Sequence, residues 1–189
     1  MTLQAVKSTS TSTRSSSLAH LVEVDGVAIE SAPERGRALR DTFGCFPSGV
    51  TAVCAELPDG ERVGMAVSSF TSVSLDPPLV SVCIDLQSTT WERLRPAPRL
   101  GVSVLAAEHA GAARRLASRS GDRFADLPVE PTEDGALFLH GASAWFDCSV
   151  EAELPAGDHL IVLLRVHRHH AGVDAAPLVF HRSSFGSLA

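Results

Sequence analysis

The chain has no run of about 18 consecutive apolar residues, the length a membrane-crossing helix needs, so no membrane span is expected. Positive charge is also short. Sixteen Lys and Arg stand against 22 Asp and Glu, a formal net charge of -6 with an isoelectric point near 5.7. Binding nucleic acid or an anionic membrane calls for a basic face, so neither partner is expected. The four cysteines, Cys45, Cys54, Cys83 and Cys148, include no C-x-x-C pair, which removes the zinc-site spacing. Each lies in an apolar run and is read as a reduced core thiol of a cytoplasmic protein. No GxGxxG and no GxxxxGK[ST] occur, so neither a Rossmann site nor a P-loop is supported. GxSxG, HExxH and paired-carboxylate motifs are missing too, which leaves hydrolase and kinase readings without a foundation.

What is present fits one soluble globular domain with a tail: 189 residues, 44% apolar and 20% charged. Residues 1–31 are read as a disordered tail, because Met1–Ser17 is a Ser/Thr tract with one Lys, one Arg and no acid. It lacks the apolar core of roughly 7–15 residues of a secretory signal. Leu18 to Ile29 carries scattered apolar residues suited to packing on the domain or a partner. Residues 32–189 form the folded domain.

Within it, Leu39, Phe43 and Phe46 recur at helical spacing from Ala32 until Pro47-Ser48-Gly49 stops the pattern. Val50–Ala55 and Arg62–Val67 read as a hairpin about the Pro58-Asp59-Gly60 turn. The serine-rich stretch after Val67 reads as a loop. Leu79–Ile84 reads as a strand buried on both faces, Ser88–Arg95 as a short helix, Leu100–Leu105 as a strand and Glu108–Ser118 as a helix with Ala112, Ala113 and Leu116 inward. Gly121–Gly135 reads as loop. Ala144–Glu153 alternates, with Phe146, Cys148, Val150 and Ala152 on one face and Asp147, Ser149, Glu151 and Glu153 on the other. Leu160–His167 reads as a strand apolar on both faces, and Leu178–His181 as a short last one. The sum is a mainly β, α+β fold: an antiparallel barrel with helical additions.

Three signals point to a site. Ser88-Thr89-Thr90 opens a helix, where backbone N–H groups and hydroxyls attract an anion, although Thr89 to Glu92 is also a capping box needing no ligand. Ser68, Ser69, Thr71, Ser72 and Ser74 put five hydroxyls within seven positions after a buried strand, a polar loop if nothing binds there. Gly157-Asp158-His159 presents a histidine beside the sheet. His167, His169 and His170 have the look of a metal cluster, but no Cys or carboxylate joins them, so they are read as an exposed strand end and no metal site is expected.

In order and spacing these segments resemble the flavin reductase-like domain, the FMN-binding split barrel of reductases serving two-component monooxygenases. The likeness runs from about Leu39 to Leu188. It is carried by FGCFPSGVTAV at Phe43–Val53, Asp59-Gly60, GMAVSSFTSVSLDPPLVSVCI at Gly64–Ile84 and STTWERL at Ser88–Leu94. DRF at Asp122–Phe124, GDH at Gly157–His159 and PLVFHRSSFGSL at Pro177–Leu188 complete it.

The resemblance implies an antiparallel split β-barrel, a homodimer, and FMN (or FAD) in a groove near the subunit interface. It places Ala66, Val67, Ser68, Ser69 and Ser48 around the isoalloxazine, Ser72 and Ser74 at the ribityl chain, and Ser88, Thr89 and Thr90 at the phosphate. It puts Arg123 and Phe124 near the cofactor groove and His159 beside the nicotinamide of NADH or NADPH, as the catalytic residue. The implied activity is hydride transfer from nicotinamide C4 to flavin N5, with reduced flavin passing to a partner flavin-dependent monooxygenase. The competing reading is a flavin-binding module for electron transfer or flavin storage with little reductase activity. Ala66, Leu164 and Leu116 stand where the family often has Thr, Gly and Phe.

Overall fold

The computed structural model describes residues 22–25, 27–29, 36–172 and 174–188. The chain divides into two compact units, residues 1–40 and 41–189. In the first, β1 (Val22–Val24) and β2 (Val27–Ile29) pair as an antiparallel hairpin inside the stretch read as tail. The Ser/Thr tract that precedes it lies outside the described residues, as does the expected helix start at Ala32. Helix α1 covers Arg37–Phe43 and buries no residue. Phe43 and Phe46 are 68% and 77% exposed, so two of the three apolar residues at helical spacing face outward, and Leu39 is half-buried.

The second unit is built on antiparallel strands. They are β3 (Ser48–Gly49), β4 (Thr51–Glu56), β5 (Arg62–Val67), β6 (Thr71–Leu75), β7 (Pro78–Asp85) and β8 (Leu100–Val104), then β9 (Val129–Pro131), β10 (Leu137–Leu139), β11 (Ala144–Ala156), β12 (His159–Ala171), β13 (Leu178–His181) and β14 (Ser184–Ser187). Two short helices, α2 (Thr89–Leu94) and α3 (Ala110–Leu116), lie between them. Seven strands form one sheet in the order β5-β4-β8-β11-β12-β7-β6; β14-β13-β3 and β10-β9 form two smaller sheets. The fold is therefore α+β with antiparallel sheets, as expected. Among the described residues no pairing joins the edge strands β5 and β6, so the large sheet is open. No helix among them is long and apolar enough to cross a membrane.

Strand β4 explains why the core has two parts. Val53 and Ala55 belong to a cluster with Val82, Ile84, Trp91, Leu94, Val162 and Leu164. Ala52 and Cys54, on its other face, join Ala113, Leu116, Leu137 and Leu139. A strand between two apolar layers reads as a continuous apolar run, and TAVCA does. Strands β7 and β12 differ from expectation: Val80, Val82 and Ile84 of β7 are buried while Cys83 and Asp85 are exposed, and β12 buries only Val162 and Leu164. Among the described residues no second layer covers their far side, and Ser81 and Arg165 already mark that face as polar.

Several local features depart from the pattern reading. The serine stretch is a loop only as far as Phe70; Thr71–Leu75 is the edge strand β6, with a bulge between Ser72 and Ser74. The loop expected over Gly121–Gly135 contains β9, paired to β10. Register shifts at Asp147/Cys148 and Val150/Ala152 break the alternation of β11. They bury Asp147 beside Cys148, and the carboxylate survives there because Arg99 grips it with two hydrogen bonds (2.8 and 2.9 Å) and Arg168 adds a third (2.5 Å). All four cysteines are free, but only Cys54 and Cys148 are core thiols, and burial pushes both up to about 12; Cys45 and Cys83 are exposed.

Candidate functional site

The site lies where β5, the start of α2, the end of α3 and the 121–124 turn meet. Its first wall follows from the β7–α2 connection. Asp85 Oδ1 accepts the Gln87 N–H (2.8 Å) and the Asp85 carbonyl accepts the Ser88 N–H (3.0 Å), which turns the chain out of the sheet. Ser88 then caps α2, its Oγ accepting the Trp91 N–H (3.2 Å), while Trp91 and Leu94 anchor the helix in the core. The cap is thus one residue earlier than the Thr89–Glu92 box implied.

The second wall is the DRF segment. Asp122 Oδ1 accepts the Phe124 N–H (2.9 Å) and so fixes the turn. Arg123 Nη1 donates to the Gly64 carbonyl (2.9 Å) and to Thr90 Oγ1 (2.7 Å), tying the turn to β5 and α2 together. Gly64 is required here: a Cβ would stand 2.5 Å from Cys54 Sγ and 2.8 Å from Phe124 Cζ. One guanidinium and two close packing contacts therefore set the gap between β5 and the turn.

A cavity of about 520 Å³ results, within the size range of small-ligand pockets. Met65, Ala66, Asp85, Gln87, Ser88, Thr89, Thr90, Leu116, Ala117, Arg119 and Arg123 line it. Of the sequence-predicted residues it brings together Ala66, Ser88, Thr89, Thr90 and Arg123. Phe124 lines the adjoining space on the far side of Arg123. Ser48 sits in β3 opposite Phe180, and Val67 is buried with its carbonyl accepting the Thr51 hydroxyl (3.2 Å). Ser69 Oγ accepts the Cys83 N–H (2.8 Å) and donates to the Cys83 carbonyl (3.2 Å), pinning the loop to β7. Exposed Ser68, and Ser72 and Ser74 on the edge strand, line neither space.

His159 opens β12 across from Asp85, which does line the cavity. Gly157, at φ +64, makes the tight turn before it. The His159 Nδ1 lies 2.7 Å from Asp158 Oδ1; a carboxylate only accepts, so Nδ1 is the donor in this contact. Leu164 is fully buried in the core, and buried Leu116 serves core and cavity at once. Arg119, Asp85 and Gln87 escaped the sequence reading. Only Asp85, next to a predicted strand end and three residues before Ser88, carried a usable signal. The His167–His170 strand end is exposed, with His167 Nε2 2.8 Å from Ser149 Oγ.

The donor chemistry is specific. Ser88 and Thr90 each use a lone pair on a protein donor, which leaves both O–H groups as donors beside a guanidinium. That set suits an acceptor-only anion such as a phosphate monoester. Such donors beside β5 leave a broad class, ligands that carry an anionic group.

The comparisons narrow it. The family model for the flavin reductase like domain matches residues 43–189, and the chain belongs to that family. It is 39% identical over 150 residues to a flavin reductase from Pseudomonas putida, covering 79% of this chain and 88% of that one. It is 36% identical over 149 residues to the reductase component of a flavin-dependent trigonelline monooxygenase from Acinetobacter baylyi, covering 79% of this chain and 48% of that protein. The chain thus spans about half the length of that relative. Among solved structures it resembles the Streptomyces globisporus NADH:FAD oxidoreductase SgcE6 in complex with NAD and FAD fragments, with a TM-score of 0.78, 36% identity, and 85% and 98% of the two chains covered.

Proposed function

We propose that the chain is an NAD(P)H:flavin oxidoreductase of split-barrel type that supplies reduced flavin to a partner monooxygenase. The observation that carries this reading is the phosphate-suited wall: Ser88 and Thr90 hydroxyls with Arg123, in a cavity that Met65 and Ala66 of β5 also line. A bound flavin supplies, at N5, the acceptor for hydride from nicotinamide C4. The chain's own part is positioning. Ser88, Thr89, Thr90 and Arg123 hold the phosphate; Ala66 to Ser69 and Ser48 approach the ring through backbone groups. His159, whose Nδ1 donates to Asp158, offers Nε2 to the nicotinamide. This division of labour explains why no acid–base constellation is present in the sequence.

Family membership and the P. putida relative support flavin reduction, the SgcE6 complex supports NADH as donor, and the A. baylyi relative supports an oxygenase partner. A homodimer is the natural state for the uncovered face of β7 and β12, where exposed Ile161 lies between Cys83 and exposed Leu154. A cytoplasmic site is consistent with four free thiols.

Thr90→Val tests the phosphate assignment. It keeps the shape, removes the hydroxyl and leaves Arg123 bonded to the Gly64 carbonyl alone. One hydrogen bond to a charged group is worth about 1.5–3 kcal/mol, so FMN binding should weaken roughly 10- to 100-fold while riboflavin, lacking the phosphate, changes little. Ser88→Ala should act the same way, with a further loss of helix stability of about 1 kcal/mol. Equal losses for FMN and riboflavin would remove the phosphate from this wall.

A further inference from the structure

Helix α3 has two unlike faces. Ala112, Ala113 and Leu116 are buried in the core with Ala52 and Leu139, while Gly111, Arg114 and Arg115 are exposed. Arg119, also exposed, follows just past the helix end. Residues 109–125 hold four arginines and one aspartate, a net of +3, in a chain whose formal net charge is -6. Elsewhere Arg62, Arg93, Arg95, Arg99, Arg165 and Arg168 each hold a carboxylate. Among the described residues Arg114, Arg115 and Arg119 form no ion pair. Asp122, the one carboxylate in that stretch, has Oδ1 committed to the Phe124 N–H. A helix C-terminus favours cations, which suits Arg114 and Arg115. Arg119 lies beyond the helix, and like charges held close together repel.

Which residues a small ligand can reach decides the kind of partner. Leu116, Ala117 and Arg119 line the cavity of about 520 Å³, so Arg115 stands one residue from its wall. Arg114 and Arg115 line neither that cavity nor the adjoining space. A cofactor in the cavity leaves this pair unused, whereas a macromolecular surface lying across the rim meets all three arginines. The negative charge of the whole chain works against nucleic acid. An acidic patch on a protein is complementary to the arginines, and Arg is enriched among the anchors of protein interfaces. Arg114 is already held in place, its guanidinium 5.1 Å from the centre of the Phe185 ring. That contact lowers the cost of ordering the side chain on binding.

We propose that the outward face of α3, centred on Arg114 and Arg115 with Arg119 at the cavity rim, docks an acidic surface of a partner protein. Resting on the function proposed above, that partner is the monooxygenase, which docks beside the cavity that reduced flavin leaves.

Fluorescein-labelled poly-L-glutamate stands in for the acidic surface, its binding read by fluorescence anisotropy. The proteins compared are the wild type, Arg114→Glu/Arg115→Glu, and Arg62→Glu/Arg165→Glu as a control of equal net charge, with circular dichroism confirming that each is folded. Reversal at Arg114 and Arg115 should weaken binding about tenfold or more, the low end of electrostatic steering. The control should lose less than about threefold, because only the total charge has changed. Binding should also fall away as salt rises from about 0.01 to about 1 M, which shortens the Debye length from about 30 to about 3 Å. A labelled single-stranded oligodeoxynucleotide should bind more weakly than poly-L-glutamate. NADH oxidation by the isolated protein with added FMN should stay within about twofold of wild type in Arg114→Glu/Arg115→Glu, since neither residue lines the cavity. Equal losses in the two double variants, salt-insensitive binding, tighter binding of the oligonucleotide, or a KM for NADH or FMN that rises as far as poly-L-glutamate binding weakens would each overturn the proposal. All four leave the flavin reading intact. Absence of NADH oxidation with every flavin would instead overturn that reading, and with it the monooxygenase as the partner.

Discussion

Asp147→Asn isolates the one buried charge among the described residues. The carboxylate is 3% exposed, gripped by Arg99 and also bonded by Arg168. The substitution changes neither volume nor backbone, so its cost is electrostatic. Arg99 is 18% exposed and Arg168 60%, so water solvates Arg168 on its own but Arg99 only in part. Removing one partner of a buried pair costs about 3–5 kcal/mol. The residual hydration of Arg99 places the loss at the low end, about 3 kcal/mol, and for a domain of this size that lowers Tm by roughly 6–12 °C. Arg168→Ala, by contrast, should cost under about 1 kcal/mol.

The pH dependence follows from the same contacts. Burial alone would raise the Asp147 carboxyl, but the hydrogen bonds from Arg99 and Arg168 outweigh it and hold it below its usual value of 3.8. A group depressed in the folded state stabilises fully above its unfolded value, and that contribution is lost as pH falls through the folded one. Wild-type stability should therefore carry an acid-side loss beginning near pH 3.8 and continuing below it, and Asp147→Asn should lack that component. Thermal unfolding followed by circular dichroism across acid to neutral pH reads both effects. An Asp147→Asn protein within about 0.5 kcal/mol of wild type, or an Arg168→Ala loss equal to that of Asp147→Asn, would refute the assignment of the stabilisation to Arg99.

Two further outcomes are expected. A thiol reagent at neutral pH should modify Cys45 promptly and reach Cys54 and Cys148 only on unfolding, because burial keeps both protonated; prompt loss of all four thiols in folded protein would contradict the two-layer core. His159→Ala should raise KM for NADH or lower turnover by roughly five- to tenfold, the worth of one hydrogen bond, with flavin affinity nearly unchanged; an unaltered steady-state rate would remove His159 from the mechanism.

Much of the architecture is legible in the chain because strand length and turn chemistry are local. Pro58-Asp59-Gly60 sets the β4–β5 hairpin, with the Gly60 N–H bonded to the Leu57 carbonyl, and Arg62–Val67 falls where its pattern puts it. Burial is less legible. TAVCA and LVSVCI look alike as apolar runs, yet only β4 is covered on both faces, and what covers it, α3 and β10, is distant in sequence. Bulges hide in the same way: nothing in the alternation of β11 announces the register shift that carries Asp147 inward. At the site, Ser88, Thr89 and Thr90 were visible because a helix start concentrates hydroxyls. Arg119 was not, since its place on the cavity wall depends on where the turn after α3 lands. Ser69 shows the opposite case: a conspicuous hydroxyl whose hydrogen bonds go to the Cys83 backbone.

In the proposed activity this groove brings a flavin and a nicotinamide together for hydride transfer. The most direct test is the rate of NADH consumption by purified protein, measured without flavin and with added FMN, FAD or riboflavin. A low rate without flavin and a steep, saturable rise with added FMN or FAD are expected. A protein that binds flavin tightly yet leaves NADH consumption at the no-enzyme rate would contradict that activity and favour a flavin-holding module.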